Sequence, residues 1–186
     1  MVTHRGTQTI ETERLILRRF CMDDAQAMYD RWASDPEVTR FLTWPPHADA
    51  GVTRQLLTLW TSAYEKADNY QWAITLKGQD NLPVGSIAVV SHDDRVCKAE
   101  VGYCIGRAWW RQGITSEALE AVIGFLLDEV GMERVEAKHD VNNPNSGAVM
   151  EKCGMKKEGV HRRADWNNQG IVDACMYAVL KDEWKK

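Results

Sequence analysis

Three short segments in the middle of the chain combine apolar and β-branched residues in the way that strands do. They run from Gln71 to Leu76, from Val84 to Val90 and from Ala99 to Ile105. The stretches between them, KGQDNLP and SHDDR, are rich in turn-forming residues. Short strands joined by short turns predict an antiparallel meander. An earlier strand is predicted from Thr12, where apolar and charged residues alternate in TERLILRRF.

Two helices are predicted before the meander. The first contains AQAMYDRWA, with Asp23 and Asp24 at its N-terminus and the Asp35-Pro36 pair at its end. The second runs from about Ala50 to Ala67, because apolar and aromatic residues recur there at helical spacing.

A longer helix is predicted after the meander, from Gly113 to Gly131, the glycine that takes the chain out of the helix. Its apolar residues share one broad face, so we expect it to lie on a sheet. These residues are Leu119, Val122, Ile123, Leu126 and Val130. A strand is then predicted from Glu133 to His139.

The remaining elements complete the fold class. Asn142-Asn143-Pro144 has the pattern of a cap followed by proline at the first helical position, and it predicts a helix over SGAVMEKC that Gly154 ends. Two strands close the chain around a hairpin turn at Asn167–Gly170, and the second alternates from Ile171 to Leu180. The prediction is an α+β fold in one domain, residues 1–186, with helices packed on a mostly antiparallel sheet.

Composition narrows the function classes. Of the 186 residues, 44% are hydrophobic and 27% charged, as in globular domains, and the net charge of -4 disfavours a general nucleic-acid binder. The chain has neither an N-terminal signal-like segment nor an apolar stretch of membrane-spanning length. The five cysteines lack C-x-x-C spacing and are expected to be reduced core thiols. A cytoplasmic protein without membrane or nucleic-acid partners is therefore expected.

The segment WWRQGITSEAL places Gly113 where a turn becomes a helix. The first N–H groups of a helix lack intrahelical partners, and the helix dipole adds a partial positive charge there. Glycine lets a phosphate approach the backbone closely, so an anion site is predicted. Neither a Walker motif nor GxGxxG is present, which disfavours ordinary nucleotide-binding folds.

Several blocks together resemble the GNAT acetyltransferases, and within them the RimJ/RimL-type branch, which acetylates protein N-termini and various small amines. The blocks are TERLILRRF, EVGYCI, WWRQGITSEAL, NNPNSGAVMEKCGM, KKEGVHRRADW, NQGIVDACMYAVL and the terminal DEW. The resemblance covers nearly the whole chain. It implies a mixed sheet with helices on both faces and acetyl-CoA lying between two splayed parallel strands.

The resemblance also implies which residues hold acetyl-CoA. Backbone groups of one strand end would bind the pantetheine arm: Tyr103, Cys104 and Ile105. The following loop and helix start would hold the pyrophosphate: Trp110, Arg111, Gln112, Gly113, Ile114 and Thr115. The sequence departs from the family here twice, because Trp110 stands where Gln or Arg is usual and Thr115 where Gly or Ala is usual.

Asn143 matches a family asparagine that meets the pantetheine arm. Its alternative role is a helix N-cap, and both roles need the same side-chain oxygen. Seven residues later, many family members carry a proton-donating tyrosine, but this chain has Met150. In the RimJ/RimL-type branch a serine three residues after the asparagine is the suggested substitute, which implies Ser146 as the acid. A local bond from Ser146 to the helix backbone is the alternative.

The resemblance places a carboxylate base at Asp165, in the RRADW segment, acting through water. Glu100 and Glu158 are nearby carboxylates by family position, for which solvated or salt-bridged roles are expected. The histidines show no metal-ligand spacing, and no metal site is predicted. They are His4, His47, His92, His139 and His161.

The expected reaction is direct transfer of acetyl from acetyl-CoA to a primary amine, either a protein N-terminal α-amine or a small-molecule amine. The turn from Phe41 to Pro46 and the second helix are expected to form the acceptor wall. Two other functions stay open: an acetyltransferase for a metabolite or antibiotic amine, and a non-catalytic acyl-CoA sensor. The protein is expected to be a monomer or a homodimer.

Overall fold

The computed structural model describes residues 1–184. Eight strands form one sheet in the order β1-β2-β3-β4-β5-β6-β8-β7, and every neighbouring pair is antiparallel except β5 and β6. The strands are β1 (Ile10–Glu11), β2 (Leu15–Arg18), β3 (Gln71–Leu76), β4 (Gly85–Asp93), β5 (Lys98–Ile105), β6 (Arg134–Asp140), β7 (Lys156–Asn167) and β8 (Gly170–Leu180).

Five α-helices and several tighter or wider turns connect the strands in the described residues. The helices are α1 (Ala25–Met28), α2 (Pro36–Thr39), α3 (Ala50–Ala63), α4 (Ile114–Gly124) and α5 (Pro144–Lys152). A 3-10 turn precedes α1 and π-helical turns extend α1 and α4; a further 3-10 turn follows β5. These turns are Met22–Asp24, Tyr29–Ala33, Phe125–Val130 and Arg107–Trp109. Within residues 1–184, no helix has the length and apolarity needed to cross a membrane.

Most predicted elements are confirmed within a few residues, but β1 was not predicted and two further details differ. Pro36 ends the first helical stretch as predicted, but it also begins α2, because the Asp35 carboxylate accepts a hydrogen bond from the Glu37 N–H at 2.9 Å. The second helix ends at Ala63 instead of Ala67. The reason lies at Tyr64, whose hydroxyl accepts from Phe20 N–H and donates to the Gln71 carbonyl, which fixes the start of the connection to β3.

Helices cover both faces of the sheet, as predicted. Trp72 and Ile74 of β3 pack in the core that contains the apolar face of α4, whereas Ala73 between them packs with α1 and α3. This follows from the alternation of side chains along a strand. The expectation that all cysteines are core thiols is wrong for Cys21, which is exposed, although all five cysteines are free.

The two parallel strands separate along their length. β5 and β6 are paired at only three positions: Lys98 with Arg134, Ala99 with Val135 and Glu100 with Glu136. Beyond these pairs β5 remains bonded to β4, and β6 remains bonded to β8. Their facing edges therefore open into a V-shaped cleft. Because the strands are parallel, the N-termini of α4 and α5 follow them at the open end.

Candidate active site

The N-terminus of α4 has the geometry of an anion site. Gly113 precedes the helix with φ 77° and ψ 1°, in the left-handed region that glycine adopts without strain, and within residues 1–184 no side chain caps the helix. The first intrahelical bond runs from Glu117 N–H to the Gly113 carbonyl, at 3.0 Å. The N–H groups of Ile114, Thr115 and Ser116 precede it and can receive an oxyanion.

Two cations that the sequence analysis missed lie beside Gly113. A β-carbon built on Gly113 would be 3.4 Å from the Arg14 guanidinium and 3.6 Å from the Lys152 ammonium. Arg14 precedes β2 and Lys152 ends α5, so the fold alone brings them to this point. Both residues line an open groove of about 1220 Å³ that runs along α4. The Lys152 charge adds to the helix dipole, and Arg14, although paired with Glu117, adds further N–H donors, so the arrangement favours a phosphate.

Arg14 is itself held in place. Its guanidinium donates to the Gln112 carbonyl at 3.0 Å and to the Glu117 carboxylate at 2.7 Å. Glu117 also accepts from the Thr12 hydroxyl at 2.6 Å. Burial would raise the pKa of Glu117, but the hydrogen bonds from Thr12 and Arg14 lower it on balance.

Trp110 closes the loop before α4. Its indole N–H donates to the Ile105 carbonyl at 2.9 Å, and its backbone N–H donates to the Arg107 carbonyl at 3.1 Å. Both N–H groups of Trp110 are therefore used within the loop and are not directed to a ligand. The Ile105 carbonyl already accepts one hydrogen bond, from the indole. Arg111 has a positive φ of 61°, a conformation that costs a non-glycine residue about 1 kcal/mol. The loop therefore turns sharply just before the helix.

Tyr103 connects β5 to α5 across the cleft. Its hydroxyl lies 3.0 Å from both the carbonyl and the hydroxyl of Ser146. The phenol can donate to the carbonyl while the serine hydroxyl donates to the phenol, which satisfies all three groups. Burial raises the pKa of Tyr103 well above its ordinary value, so the phenol stays neutral. The neighbouring Cys104 points to the opposite face, with its thiol 3.3 Å from the Ser86 hydroxyl.

The geometry at the start of α5 bears on whether Asn143 caps the helix or is free to contact the pantetheine arm. Asn143 is the N-cap residue by position, but its side chain makes no capping hydrogen bond, and Pro144 fills the first helical position. The turn is held instead by buried Asp140, which accepts from Asn142 N–H and from the Asn167 amide, each at 2.8 Å. Met150 is 1% exposed and belongs to the core.

Asp165 approaches from the other face of the sheet. Its carboxylate lies 3.2 Å from the Lys138 ammonium, which is also 3.5 Å from Glu100. Lys138 alternates with core residues Val135 and Ala137 along β6, so it faces away from α4 and α5. Burial would lower the pKa of Lys138, but the two carboxylates raise it on balance. Ser146 and Asp165 are therefore brought to opposite sides of the cleft.

Two neighbouring groups take structural roles. Glu158 forms an ion pair with Arg134, with one hydrogen bond of 2.8 Å, in agreement with the expected salt bridge. The predicted acceptor wall is fastened to the β7–β8 turn, because the Asn168 amide donates to the carbonyls of Thr39 and Trp44 at 2.8 Å each. The 41–46 turn is thereby held close to the end of β7.

Comparisons with known proteins agree with this architecture. The family model described as Acetyltransferase (GNAT) domain matches residues 14–156. The uncharacterized N-acetyltransferase p20 of Bacillus licheniformis is 29% identical over 95% of this chain and 98% of its own length. The ribosomal-protein-serine acetyltransferase of Escherichia coli is 33% identical over 45% of this chain and 47% of its own length.

Solved structures share the fold. An acetyltransferase of the GNAT family from Bacillus anthracis has a TM-score of 0.81 and 24% identity, covering 94% of this chain and 99% of that chain. RimL, a ribosomal L7/L12 α-N-protein acetyltransferase solved with coenzyme A, has a TM-score of 0.83 and 21% identity, covering 95% and 100%. The residues 14–156 that the family model matches include the splayed strands and both helix starts, and the chain belongs to the GNAT family as an acetyl-CoA-dependent N-acetyltransferase.

Proposed function

We propose that residues 1–186 act as one catalytic domain that acetylates a primary amine of low basicity, a peptide α-amine above all, by direct attack on acetyl-CoA. The observation that carries the proposal is the cleft between β5 and β6. It joins a cationic helix start on one face of the sheet to the Asp165–Lys138 pair on the other face. A cofactor anchored on one side can thus present its acetyl group to an amine on the other.

The proposed cofactor site uses the α4 N-terminus. The pyrophosphate would accept hydrogen bonds from the N–H groups of Ile114, Thr115 and Ser116, next to Arg14 and Lys152. The pantetheine arm would follow the unpaired edge of β5 at Tyr103–Ile105, with the uncapped Asn143 side chain as a further partner. The departures at Trp110 and Thr115 leave these backbone donors in place.

The environment of Asp165 favours an amine that needs little activation. The amine must be neutral when it attacks the thioester carbonyl carbon, and it then passes a proton through water to Asp165 as the C–S bond breaks. Asp165 acts through water and already lies 3.2 Å from the Lys138 ammonium, so the site gives only modest help in deprotonating an ammonium. An α-amine, with a pKa of about 7.7–8.0, suits this site better than a lysine near ~10.4.

The departing thiolate needs a hydrogen bond more than an acid. A thiol such as cysteine has a pKa of about 8.5, so a coenzyme thiolate is a moderate leaving group. The Ser146 hydroxyl would turn from the Tyr103 oxygen to the thiolate, while the phenol keeps its bond to the Ser146 carbonyl. Tyr103 is therefore proposed as a positioning residue for Ser146.

The acceptor class is tested by measuring thiol release from acetyl-CoA with two panels of amines. One panel contains peptides that begin with Ala or Ser, and the other contains small metabolite and antibiotic amines. Faster turnover on the peptides supports the proposal, and turnover confined to the small amines overturns the peptide acceptor. Tight acetyl-CoA binding with no turnover on either panel would identify a sensor instead of an enzyme acting on these amines.

A further inference from the structure

A histidine near the start of the chain meets a histidine and an aspartate of the β4–β5 hairpin at the end of the sheet opposite the open cleft. His4 precedes β1, His92 lies in β4, and Asp94 begins the β4–β5 turn. His4 Nε2 is 3.1 Å from one Asp94 oxygen, and His92 Nδ1 is 3.0 Å from the other. One ligand atom from each residue lies within 4.8 Å of the other two. The spacing along the chain did not indicate this cluster, because 90 residues separate His4 from Asp94.

The second nitrogen of each imidazole also has a partner. His4 Nδ1 lies 2.8 Å from the hydroxyl of Tyr70, which is 2% exposed, and His92 Nε2 lies 3.9 Å from the Asp68 carboxylate. Outer partners of this kind fix the ring orientation and tautomer of metal-binding histidines. Without a metal, His4 Nε2 and His92 Nδ1 hydrogen-bond to the Asp94 carboxylate. When a metal replaces those two protons, His4 Nδ1 can keep Tyr70 and His92 Nε2 can keep Asp68 as outer partners, and the two inner nitrogens supply lone pairs to the ion.

We propose that His4, His92 and Asp94 bind a Zn²⁺ ion, with water completing its coordination. Two imidazoles and one carboxylate are ligands that Zn²⁺ takes at about 2.0–2.2 Å, which puts tetrahedral neighbours roughly 3.3 Å apart. The nitrogen-to-oxygen distances of 3.1 and 3.0 Å are close to this spacing, and the three ligand atoms all lie within 4.8 Å of one another, so a small side-chain shift would bring them around one ion. Nitrogen ligands disfavour Mg²⁺ and Ca²⁺. The carboxylates of Asp94 and Asp68 supply compensating negative charge.

The site is far from the acetyl-transfer cleft. Asp93 pairs with Lys98 at the start of β5, and Tyr103–Ile105 lie five to seven residues further along that strand. At about 3.3 Å per residue this is roughly 16–23 Å. The metal would join the segment before β1 to the β4–β5 hairpin, next to the bond from Gly6 N–H to the Ala67 carbonyl. Its role would be to stabilise this end of the fold, independently of catalysis.

The test uses the full-length protein without a polyhistidine tag, treated with a chelator and then titrated with Zn²⁺ in competition with a chromophoric chelator. We expect one equivalent to bind in the micromolar range or tighter, and to raise Tm by several degrees at saturation. His92→Ala and His4→Gln should each weaken the affinity at least about tenfold, since even outer partners are worth 10–100-fold. His4→Gln lies outside the sheet, which keeps the test valid if His92→Ala folds poorly.

The matched control is His161→Ala, which removes an exposed histidine on β7 and should bind Zn²⁺ as the parent does. Absence of saturable binding at micromolar Zn²⁺ would overturn the proposal. Equal affinity in the parent, His4→Gln and His161→Ala would also overturn it, because the ion would then be held elsewhere, for instance at the exposed Cys21 thiol.

Discussion

The two helices at the open end of the cleft begin in different ways. α4 begins at a left-handed glycine with no side-chain cap, and the cations of Arg14 and Lys152 lie beside it. α5 begins with Asn143 and Pro144, and its first turn is fastened to β5 by the neutral pair of Ser146 and Tyr103. Both starts present backbone dipoles to one cleft, yet only α4 adds positive charge in the described residues.

Because of this difference, the α4 start suits binding of the cofactor pyrophosphate, and the α5 start suits the reaction of the thioester. A pyrophosphate gains most from fixed charges and rigid N–H donors, which α4 provides. A reacting thioester needs donors that can change partners as charge develops, and a hydroxyl pair at α5 can do this without first breaking an ion pair. Changes at α4 should therefore alter cofactor affinity, whereas changes at the Ser146–Tyr103 pair and across the cleft should alter turnover.

The largest effect is expected at Asp165. Asp165→Asn should lower kcat roughly 10²-fold, because proton acceptance from the amine is lost, and it should leave acetyl-CoA affinity nearly unchanged. Steady-state kinetics and calorimetry measure the two quantities. Glu158→Gln is the matched control, since Glu158 lies on the same strand but pairs with Arg134. Equal kcat in Asp165→Asn and the parent would remove Asp165 as the base.

The second prediction concerns the α4 start. Gly113→Ala should weaken coenzyme A binding about tenfold, because the new methyl group occupies space between the cations where a phosphate would lie, and a left-handed φ costs alanine about 1–2 kcal/mol. Gly78→Ala is the matched control: its φ of 74° carries the same strain, and no atom lies within 4 Å of the added carbon. Both variants should lose similar stability, and only the first should lose affinity. An affinity loss in Gly78→Ala would show that the strain acts globally.

The Ser146–Tyr103 pair gives a smaller effect. Ser146→Ala should lower kcat about three- to tenfold, with the greatest loss for slow amine acceptors, because the thiolate leaves with little help. Tyr103→Phe should produce part of this loss, since it frees Ser146 without removing its hydroxyl. If Tyr103→Phe lowers kcat more than Ser146→Ala, the phenol contacts the reacting atoms directly and the assigned order is wrong.

The role of Asn143 at the α5 start can be tested by comparing the stability and the KM of the Asn143→Ala variant with those of the parent. Replacing a capping Asn by Ala typically costs about 1 kcal/mol. Because no capping bond is made here, Asn143→Ala should lower the free energy of unfolding by less than ~0.5 kcal/mol while raising the KM for acetyl-CoA. Urea unfolding and steady-state kinetics measure the two effects. A stability loss of ~1 kcal/mol with an unchanged KM would restore the cap interpretation.

The smallest effect on function is expected at Glu117, where the change is a pH dependence of stability. The folded pKa of Glu117 is depressed, so its stabilising contribution is complete above the ordinary glutamate value near ~4.3 and is lost as the pH falls through the lower folded pKa. Glu117→Gln should therefore flatten the stability profile between about pH 5 and pH 3, by less than ~1 kcal/mol. Urea unfolding at several pH values measures this, and an unchanged slope in the variant would contradict it.

Local pattern was enough for most elements of the fold. β3 was predicted from Gln71 to Leu76 and is observed with those bounds, because strand alternation and turn composition act over a few residues. α3 was predicted too long, since Tyr64 continues the helical spacing but is drawn away by hydrogen bonds to Phe20 and Gln71. A contact made across the fold overrides a periodicity that is only local.

The sequence by itself determined the order of most elements, the glycine before α4 and, through its resemblance to a family, the class of reaction. Only the tertiary structure decided which side chains meet: Arg14 and Lys152 at Gly113, Tyr103 at Ser146, Lys138 at Asp165, and His4 at Asp94. Backbone conformation follows from sterics and hydrogen bonds between near neighbours. Proximity between distant residues follows from sheet register and helix packing, which no short stretch of the chain contains.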